Sequence, residues 1–266
     1  MASFSDEPLF SSAVLSLYAL ALLTVLSLLF LSAPYGRHAR PGWGPSIPPA
    51  AAWFLMESPT LWLTLLLLPH GRHRSHPLAL AILFPFLLHY LHRTLLYPLR
   101  LLRNPTRTTT SPGFPLSVAA MAFSFNVFNA YVQARSVSHY AEYPPPAEVP
   151  WWVWARVAAG TAVLLWGMAV NVRSDLALLR LKREAGGAYR VPRGGWFELV
   201  CCPNYMGEAV EWLGWAAAAA TPAALGFSLY TCANLVPRAA QHRRWYREKF
   251  GSDYPATRKA IIPYIF

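Results

Sequence analysis

Charge is scarce in this chain. Only 13% of its 266 residues are Asp, Glu, Lys or Arg, and just 12 are acidic, where ordinary soluble domains carry about a quarter charged residues. Hydrophobic residues make up 55% and gather into long runs. That combination excludes a soluble globular domain and predicts an integral membrane protein. Cysteine is nearly absent as well. Cys201 and Cys202 are adjacent and Cys232 stands apart, which is neither a zinc spacing nor a C-x-x-C redox pair, so they read as reduced packing residues. No G-x-G-x-x-G and no P-loop occurs, which excludes a Rossmann or Walker nucleotide site. His70, His73 and His76 have a metal-like spacing, but they sit in a short loop apart from the other polar groups, and no metal is expected.

What is there is a series of apolar runs over 9–31, 51–68, 78–99, 114–137, 151–172 and 196–236. Each of the first five can span a bilayer, and the sixth is long enough for two spans of about 20 residues. The first run has Asp6 and Glu7 ahead of it instead of a basic segment, so it reads as a retained span and not a signal peptide. The net charge of +11 lies in the short loops, which is better explained by orientation in the bilayer than by nucleic acid. Eighteen Lys and Arg residues fall in 34–50, 100–112, 173–195 and 237–266, against two in 70–76 and none in 138–150. The positive-inside rule puts the richer side in the cytosol. The expected fold is all-α: one membrane domain over 1–266, a bundle of seven transmembrane helices with a lumenal N-terminus and a cytosolic C-terminus.

Three constellations carry chemistry. In 189–215, YRVPRGGWFELVCCPNYMGEAVEWLGW, Asn204, Glu208 and Glu211 are spaced i, i+4, i+7 and share one helical face. Carboxylates at membrane depth are costly and face a protein interior or a wet cavity. Glu57 lies in the second run with Trp53 one turn before it, and Tyr90 in the third with Arg93 and Tyr97 following. A buried carboxyl beside a phenol suits hydrogen bonding to a ligand carbonyl; simple pairing of Glu57 with Arg93 explains the same spacing equally well. Asn171 and Asp175 close the fifth run, the basic loop 173–195 carries Lys182, Tyr189 and Arg190, and Arg238, His242 and Tyr246 repeat at i+4 in the tail. Carboxylates and amides suit ribose or carboxamide groups and Arg suits phosphates, so the set resembles a nucleotide site at the cytosolic mouth. Topology signal for the loop and an amphipathic surface helix for the tail are the plainer alternatives.

At these residues the sequence resembles the steroid 5α-reductases. The resemblance rests on AAWFLMESPTLWLTLLL (51–67), LLHYLHRTLLYPLR (87–100), NVRSD (171–175), the 189–215 stretch and RKAIIPYIF (258–266). Two further segments, APYGRHARPGWGP (33–45) and NAYVQARSVSHY (129–140), resemble the plant brassinosteroid-biosynthetic branch. The resemblance implies a seven-helix enzyme reducing the Δ4 double bond of 3-oxo steroids with NADPH, with 1–137 on the steroid side and 138–266 binding cofactor. It places substrate contacts on Trp53, Glu57 and Tyr90, with Glu57 and Tyr90 catalytic. It places cofactor contacts on Asn171, Asp175, Lys182, Tyr189, Arg190, Asn204, Glu208, Arg238, His242 and Tyr246. Lys182 stands where the family has arginine and is followed by Arg183, so which of the two meets a phosphate stays open. The implied partner is a membrane-dissolved 3-oxo-Δ4 steroid, campest-4-en-3-one for the plant branch. The implied setting is the endoplasmic reticulum membrane, as a monomer with no nucleic-acid partner. Two other readings compete: a membrane methyltransferase using S-adenosylmethionine, and a non-catalytic sterol-binding protein.

Overall fold

The computed structural model describes residues 6–103 and 113–266, so most of the basic loop read over 100–112 lies outside the described residues. The chain forms helices α1 (Glu7–Phe30), α2 (Pro49–Leu67), α3 (Pro77–Leu91), α4 (Tyr97–Arg103), α5 (Leu116–Arg135), α6 (Trp151–Glu184), α7 (Pro203–Ala219) and α8 (Pro222–Phe250). A π-helical turn, His92–Leu96, fuses α3 and α4 into one rod. Two-residue strands β1 (Ser46–Ile47) and β2 (Phe114–Pro115) pair antiparallel and fasten the segment after α1 to the start of α5.

Proline punctuates the helix starts. Pro49, Pro77, Pro203 and Pro222 open α2, α3, α7 and α8, where the missing N–H has no intrahelical partner to lose. Thr221 caps α8 by accepting from the Ala224 N–H at 3.2 Å. Ala220, in left-handed conformation at φ 51°, ends α7. The break inside 196–236 therefore falls at Ala220–Thr221.

Among the described residues, four helical stretches are long and apolar enough to cross a membrane: Glu7–Phe30, Pro49–His70, Pro77–Arg103 and Trp151–Glu184. On α1 the side chains of Leu15, Leu22, Leu23 and Phe30 face outward, as a lipid-facing surface requires. The inner core is aromatic and aliphatic, built on Phe86, Leu78, Leu83, Leu164, Trp212 and Trp215.

Helices α6 and α7 touch backbone to backbone. A Cβ built on Gly160 would lie 2.7 Å from the Gly214 carbonyl oxygen, and one on Gly167 would lie 2.5 Å from that of Gly207. The reverse pairs are equally close, with Gly207 facing Asn171 N at 2.6 Å and Gly214 facing Leu164 N at 2.4 Å. Small residues permit that approach in a membrane.

Two boundaries differ from the sequence expectation. The helix read as ending near 172 runs on to Glu184, because RSDLALLRLKRE holds no Gly or Pro and is rich in helix formers. Likewise α8 continues through Pro237 to Phe250, so the first half of the expected tail is helix. The final segment docks back beside α7: Val200 bridges Lys259, and the Cys201 and Cys202 N–H groups donate to the carbonyls of Lys259 and Ala260 at 2.7 and 3.1 Å.

Candidate active site

One end of the bundle holds a cavity of about 690 Å³, within the roughly 300–1,000 Å³ usual for ligand sites. Its walls come from the C-terminal ends of α1, α3–α4 and α6, the N-terminal ends of α2, α5 and α7, and α8 from Phe227 to Tyr246. The loops at that end are the arginine- and lysine-rich ones.

The apolar half is lined by Trp53, Met56, Glu57, Tyr90, Tyr97, Phe125 and Trp212. Asn126 on α5 fixes the α2 wall, donating to the Met56 carbonyl at 2.6 Å and to Glu57 Oε2 at 3.4 Å. Trp53 and Tyr97 meet edge to face, ring centroids 5.1 Å apart. The polar half rests on the close α6–α7 seam. Asn171 Nδ2 donates to the Asn204 carbonyl at 3.0 Å and to Glu208 Oε2 at 3.1 Å, and Asn204 Nδ2 donates to Asp175 Oδ1 at 3.0 Å.

Arg93 joins the halves. Its Nη1 donates to Asp175 Oδ2 at 3.0 Å, its Nε lies 4.0 Å from Glu57 Oε1, and its Nη2 lies 4.0 Å from Glu208 Oε2. The guanidinium also sits over the Trp53 ring at 4.4 Å. The π turn adds a residue between Tyr90 and Tyr97 relative to a regular helix, yet Tyr90, Arg93 and Tyr97 all reach the cavity.

Lys182, Tyr189, Arg190, Arg238 and Tyr246 line the mouth. Burial, partly offset by Arg37, pushes the Tyr189 phenol above its usual range. The loop behind it is pinned at Glu198, whose carboxylate accepts from the Gly194 N–H at 2.6 Å and faces Arg193 and the buried Arg258 at 3.6 and 3.7 Å. That backbone N–H, with the two guanidiniums, holds the Glu198 carboxyl below the usual range.

Twelve of the thirteen residues to which the resemblance assigns substrate or cofactor contacts line this one cavity: Trp53, Glu57, Tyr90, Asn171, Asp175, Lys182, Tyr189, Arg190, Asn204, Glu208, Arg238 and Tyr246. His242 stands just behind the wall, within 3.1 Å of the Tyr205 hydroxyl and 3.0 Å of His38 Nε2. Glu211 departs from its expected company. It is fully buried away from the cavity, with Oε1 2.6 Å from His89 Nδ1. Tyr35, Arg37 and His89 are among the wall residues that escaped the sequence reading of the site, as are Tyr205 and Asn234. Tyr35 and Arg37 come from the loop after α1, about two hundred positions from Arg238 and Tyr246; Arg37 packs 4.6 Å over the Tyr246 ring, and Arg238 donates to the hydroxyls of Tyr35 and Tyr205. His89 is masked by its apolar neighbours. Local spacing cannot reveal contacts of such separation.

Comparison with known proteins matches residues 112–266 to the family described as 3-oxo-5-alpha-steroid 4-dehydrogenase. The chain is 56% identical over 262 residues to the steroid 5-alpha-reductase DET2 of Gossypium hirsutum, covering 98% of this chain and 99% of the relative. It is 51% identical to the Arabidopsis thaliana protein of the same name over the full length of both. It is 38% identical over 235 residues to the human 3-oxo-5-alpha-steroid 4-dehydrogenase 1, covering 87% and 86% of the two chains. With a matched family domain over more than half its length and relatives of this identity end to end, the chain belongs to the steroid 5-alpha-reductase family and is an oxidoreductase of steroid metabolism.

Proposed function

We propose that this protein reduces the Δ4 double bond of a membrane-dissolved 3-oxo-Δ4 steroid with NADPH to the 5α-dihydro product, campest-4-en-3-one to 5α-campestan-3-one being the expected conversion. The observation that carries the reading is the Arg93-bridged cavity: an apolar half with a carboxyl and a phenol, continuous with a cationic, amide-rich half. The names of the plant relatives support steroid 5-alpha reduction, and the particular sterol is what the resemblance to the plant branch implies.

The cationic half fits a phosphorylated dinucleotide. Arg37 has a buried Nη1 and Arg238 a buried Nε without a hydrogen-bond partner among the described residues, and unpaired buried guanidinium donors are costly unless an anion meets them. Arg37, Lys182, Arg190 and Arg238 would hold phosphates. Lys182 lines the cavity while the neighbouring Arg183 is exposed, which favours Lys182 for that contact. Tyr189 and Tyr246 would offer ring faces, His242 would back them, and Asn171, Asp175, Asn204 and Glu208 would orient the ribose and carboxamide. NADPH, when bound, supplies the hydride delivered to C5. Glu57 and Tyr90 donate hydrogen bonds to the C3 oxygen and stabilise the charge that grows there, while Trp53 and Tyr97 wall the flat ring system and exclude water. Arg93 keeps the polar-half carboxylates of Asp175 and Glu208 compensated.

The same reading takes all seven helical rods as crossings of the endoplasmic reticulum membrane, with the N-terminus lumenal, the cavity mouth cytosolic and the protein monomeric. The steroid half is drawn mainly from 1–137 and the cofactor half mainly from 138–266, with Trp212 and Arg37 as the crossovers.

The test is product analysis with purified protein, a 3-oxo-Δ4 steroid and NADPH deuterated at its transferable position. A 5α-dihydro product carrying deuterium at C5 is expected, and Glu57→Ala, which deletes the donor, should lose about 10²–10³ in turnover. Stabilisation by S-adenosylmethionine but not by NADPH would overturn the reading in favour of a methyltransferase, and a Glu57→Ala enzyme of full activity would remove Glu57 from the carbonyl site.

A further inference from the structure

Reduction of an enone leaves an enolate that must gain a proton at C4. Donors on the C3 oxygen approach along its lone pairs, in the enolate plane, whereas a proton enters C4 perpendicular to that plane. Glu57 and Tyr90, placed on the oxygen, are therefore poorly set to protonate the carbon, and a second acid is required.

The cavity wall holds one. His89 directly precedes Tyr90 and lines the cavity, its ring 5.0 Å from the Tyr90 ring at 73°. Its Nδ1 contacts Glu211 Oε1 at 2.6 Å, and Glu211 is fully buried, its Oε2 without a hydrogen-bond partner among the described residues. With Nδ1 engaged by a carboxyl group, Nε2 is the nitrogen left to the cavity. That is the arrangement by which a carboxylate fixes the tautomer and direction of a general acid–base imidazole. Trp212, 4.6 Å from the His89 ring, and Phe86, 5.8 Å from Trp212, pack the ring in an aromatic cluster. The charged and titratable groups around it are Glu57 on α2, Tyr90 and Arg93 on its own rod, and Glu208 and Glu211 on α7.

We propose that the Glu211–His89 pair is the acid that protonates C4, with His89 Nε2 meeting the reacting carbon and Glu211 as its positioning residue. The inference rests on the reductase reading above. The pair shares one transferable proton beyond carboxylate and neutral imidazole. The electron pair of the enolate C3=C4 bond takes the Nε2 proton, the C4–H bond forms and C3=O is restored. The pair is left as carboxylate and neutral imidazole, and it regains a proton from water once product leaves.

The experiment follows the full-length protein turning over in D₂O with NADPH, with rapid quenching and assignment of deuterium at C4, alongside kcat and steroid KM. The unmodified protein should label one face of C4. His89→Gln should cut kcat by about 10²–10⁴-fold, the range of general acid catalysis, keep steroid KM within about threefold, and label both faces in its residual product. Single-face labelling with near-normal kcat would overturn the proposal. If His89→Gln fails to fold, Glu211→Gln decides, since an amide retains a hydrogen bond to Nδ1 but cannot take the charge. A large fall in kcat at preserved KM supports the pair, and an unchanged kcat overturns it. No reduced product from the unmodified protein would overturn the reductase reading itself, an outcome distinct from active protein with silent variants.

Discussion

Arg93 faces three acids at once. Asp175 receives a hydrogen bond, while Glu57 and Glu208 stand 4.0 Å away on either side of it. A lone buried carboxylate is very costly, and a shared guanidinium lets three sit round one cavity. At the opposite end of the bundle a single acid gathers the partners. Asp6 accepts from Tyr131 and from Arg135 Nε at 2.9 Å each, and also from Tyr140, which ties the start of α1 to the end of α5. Burial pushes the Asp6 carboxyl up, but the hydrogen bonds from Arg135, Tyr140 and Tyr131 outweigh it and hold the group below the usual carboxylate range. A depressed folded value means the stabilisation is complete above the unfolded carboxylate range and fades as pH falls through the folded value. Asp6→Asn should therefore lower stability by about 1–3 kcal/mol at neutral pH, with the gap to the unmodified protein closing only below about pH 4. Thermal unfolding of both proteins across pH checks this; a gap that persists undiminished at pH 2 would show that the anion is not what the cluster uses.

The seam between α6 and α7 governs the polar half of the site. Gly160 and Gly167 face Gly214 and Gly207 at backbone contact, and that approach sets Asn171 and Asp175 within hydrogen-bonding distance of Asn204 and Glu208. Gly207→Ala would place a methyl group 2.6 Å from Asn171 N. It should cost about 1–3 kcal/mol, as overpacking does, and weaken NADPH binding more than steroid binding, which titration of each ligand would separate. Gly42→Ala is the contrast. Its added methyl meets nothing within 4 Å, though its φ of +92° strains the backbone, so ligand affinities should stay level. Both glycine pairs repeat seven residues apart in the sequence, but a spacing does not name the helix it faces. The end of α6 was illegible for another reason. Arg173, Ser174 and Asp175 break the hydropathy where the apolar run stops, yet helix propensity carries the backbone on to Glu184. Hydropathy marks where lipid ends, not where hydrogen bonding does. The chemistry read better than the boundaries, because polar groups inside apolar runs are costly and have to converge; Glu57, Tyr90, Asn204 and Glu208 do so. Arg37 did not announce itself, since a basic residue in a short loop looks the same whether it orients the chain or lines a pocket.

Across the whole molecule the cavity and the charge bias report the same asymmetry. Three rods end at the cavity, three begin there and α8 runs along it, the alternation in direction that seven crossings would require. Among the described residues, four helical stretches pass on length and hydropathy. Helices α5, α7 and α8 carry the polar wall groups Asn126, Asn204, Glu208 and Arg238, which lower their hydropathy while pointing inward. A polar group facing a cavity does not bar a helix from crossing. Glu142, between α5 and α6, and Glu184, at the end of α6, should then lie on opposite sides of the membrane. In sealed vesicles with the cytosolic face outward, an impermeant maleimide should label Glu184→Cys directly and Glu142→Cys only after detergent, with the buried Cys201 and Cys202 and the half-buried Cys232 setting the background in the unmodified protein. Labelling of both positions from outside would mean that α6 does not cross. The basic loops would then no longer mark one compartment, and a steroid arriving from the bilayer would have to share the NADPH mouth instead of reaching the apolar half from the membrane.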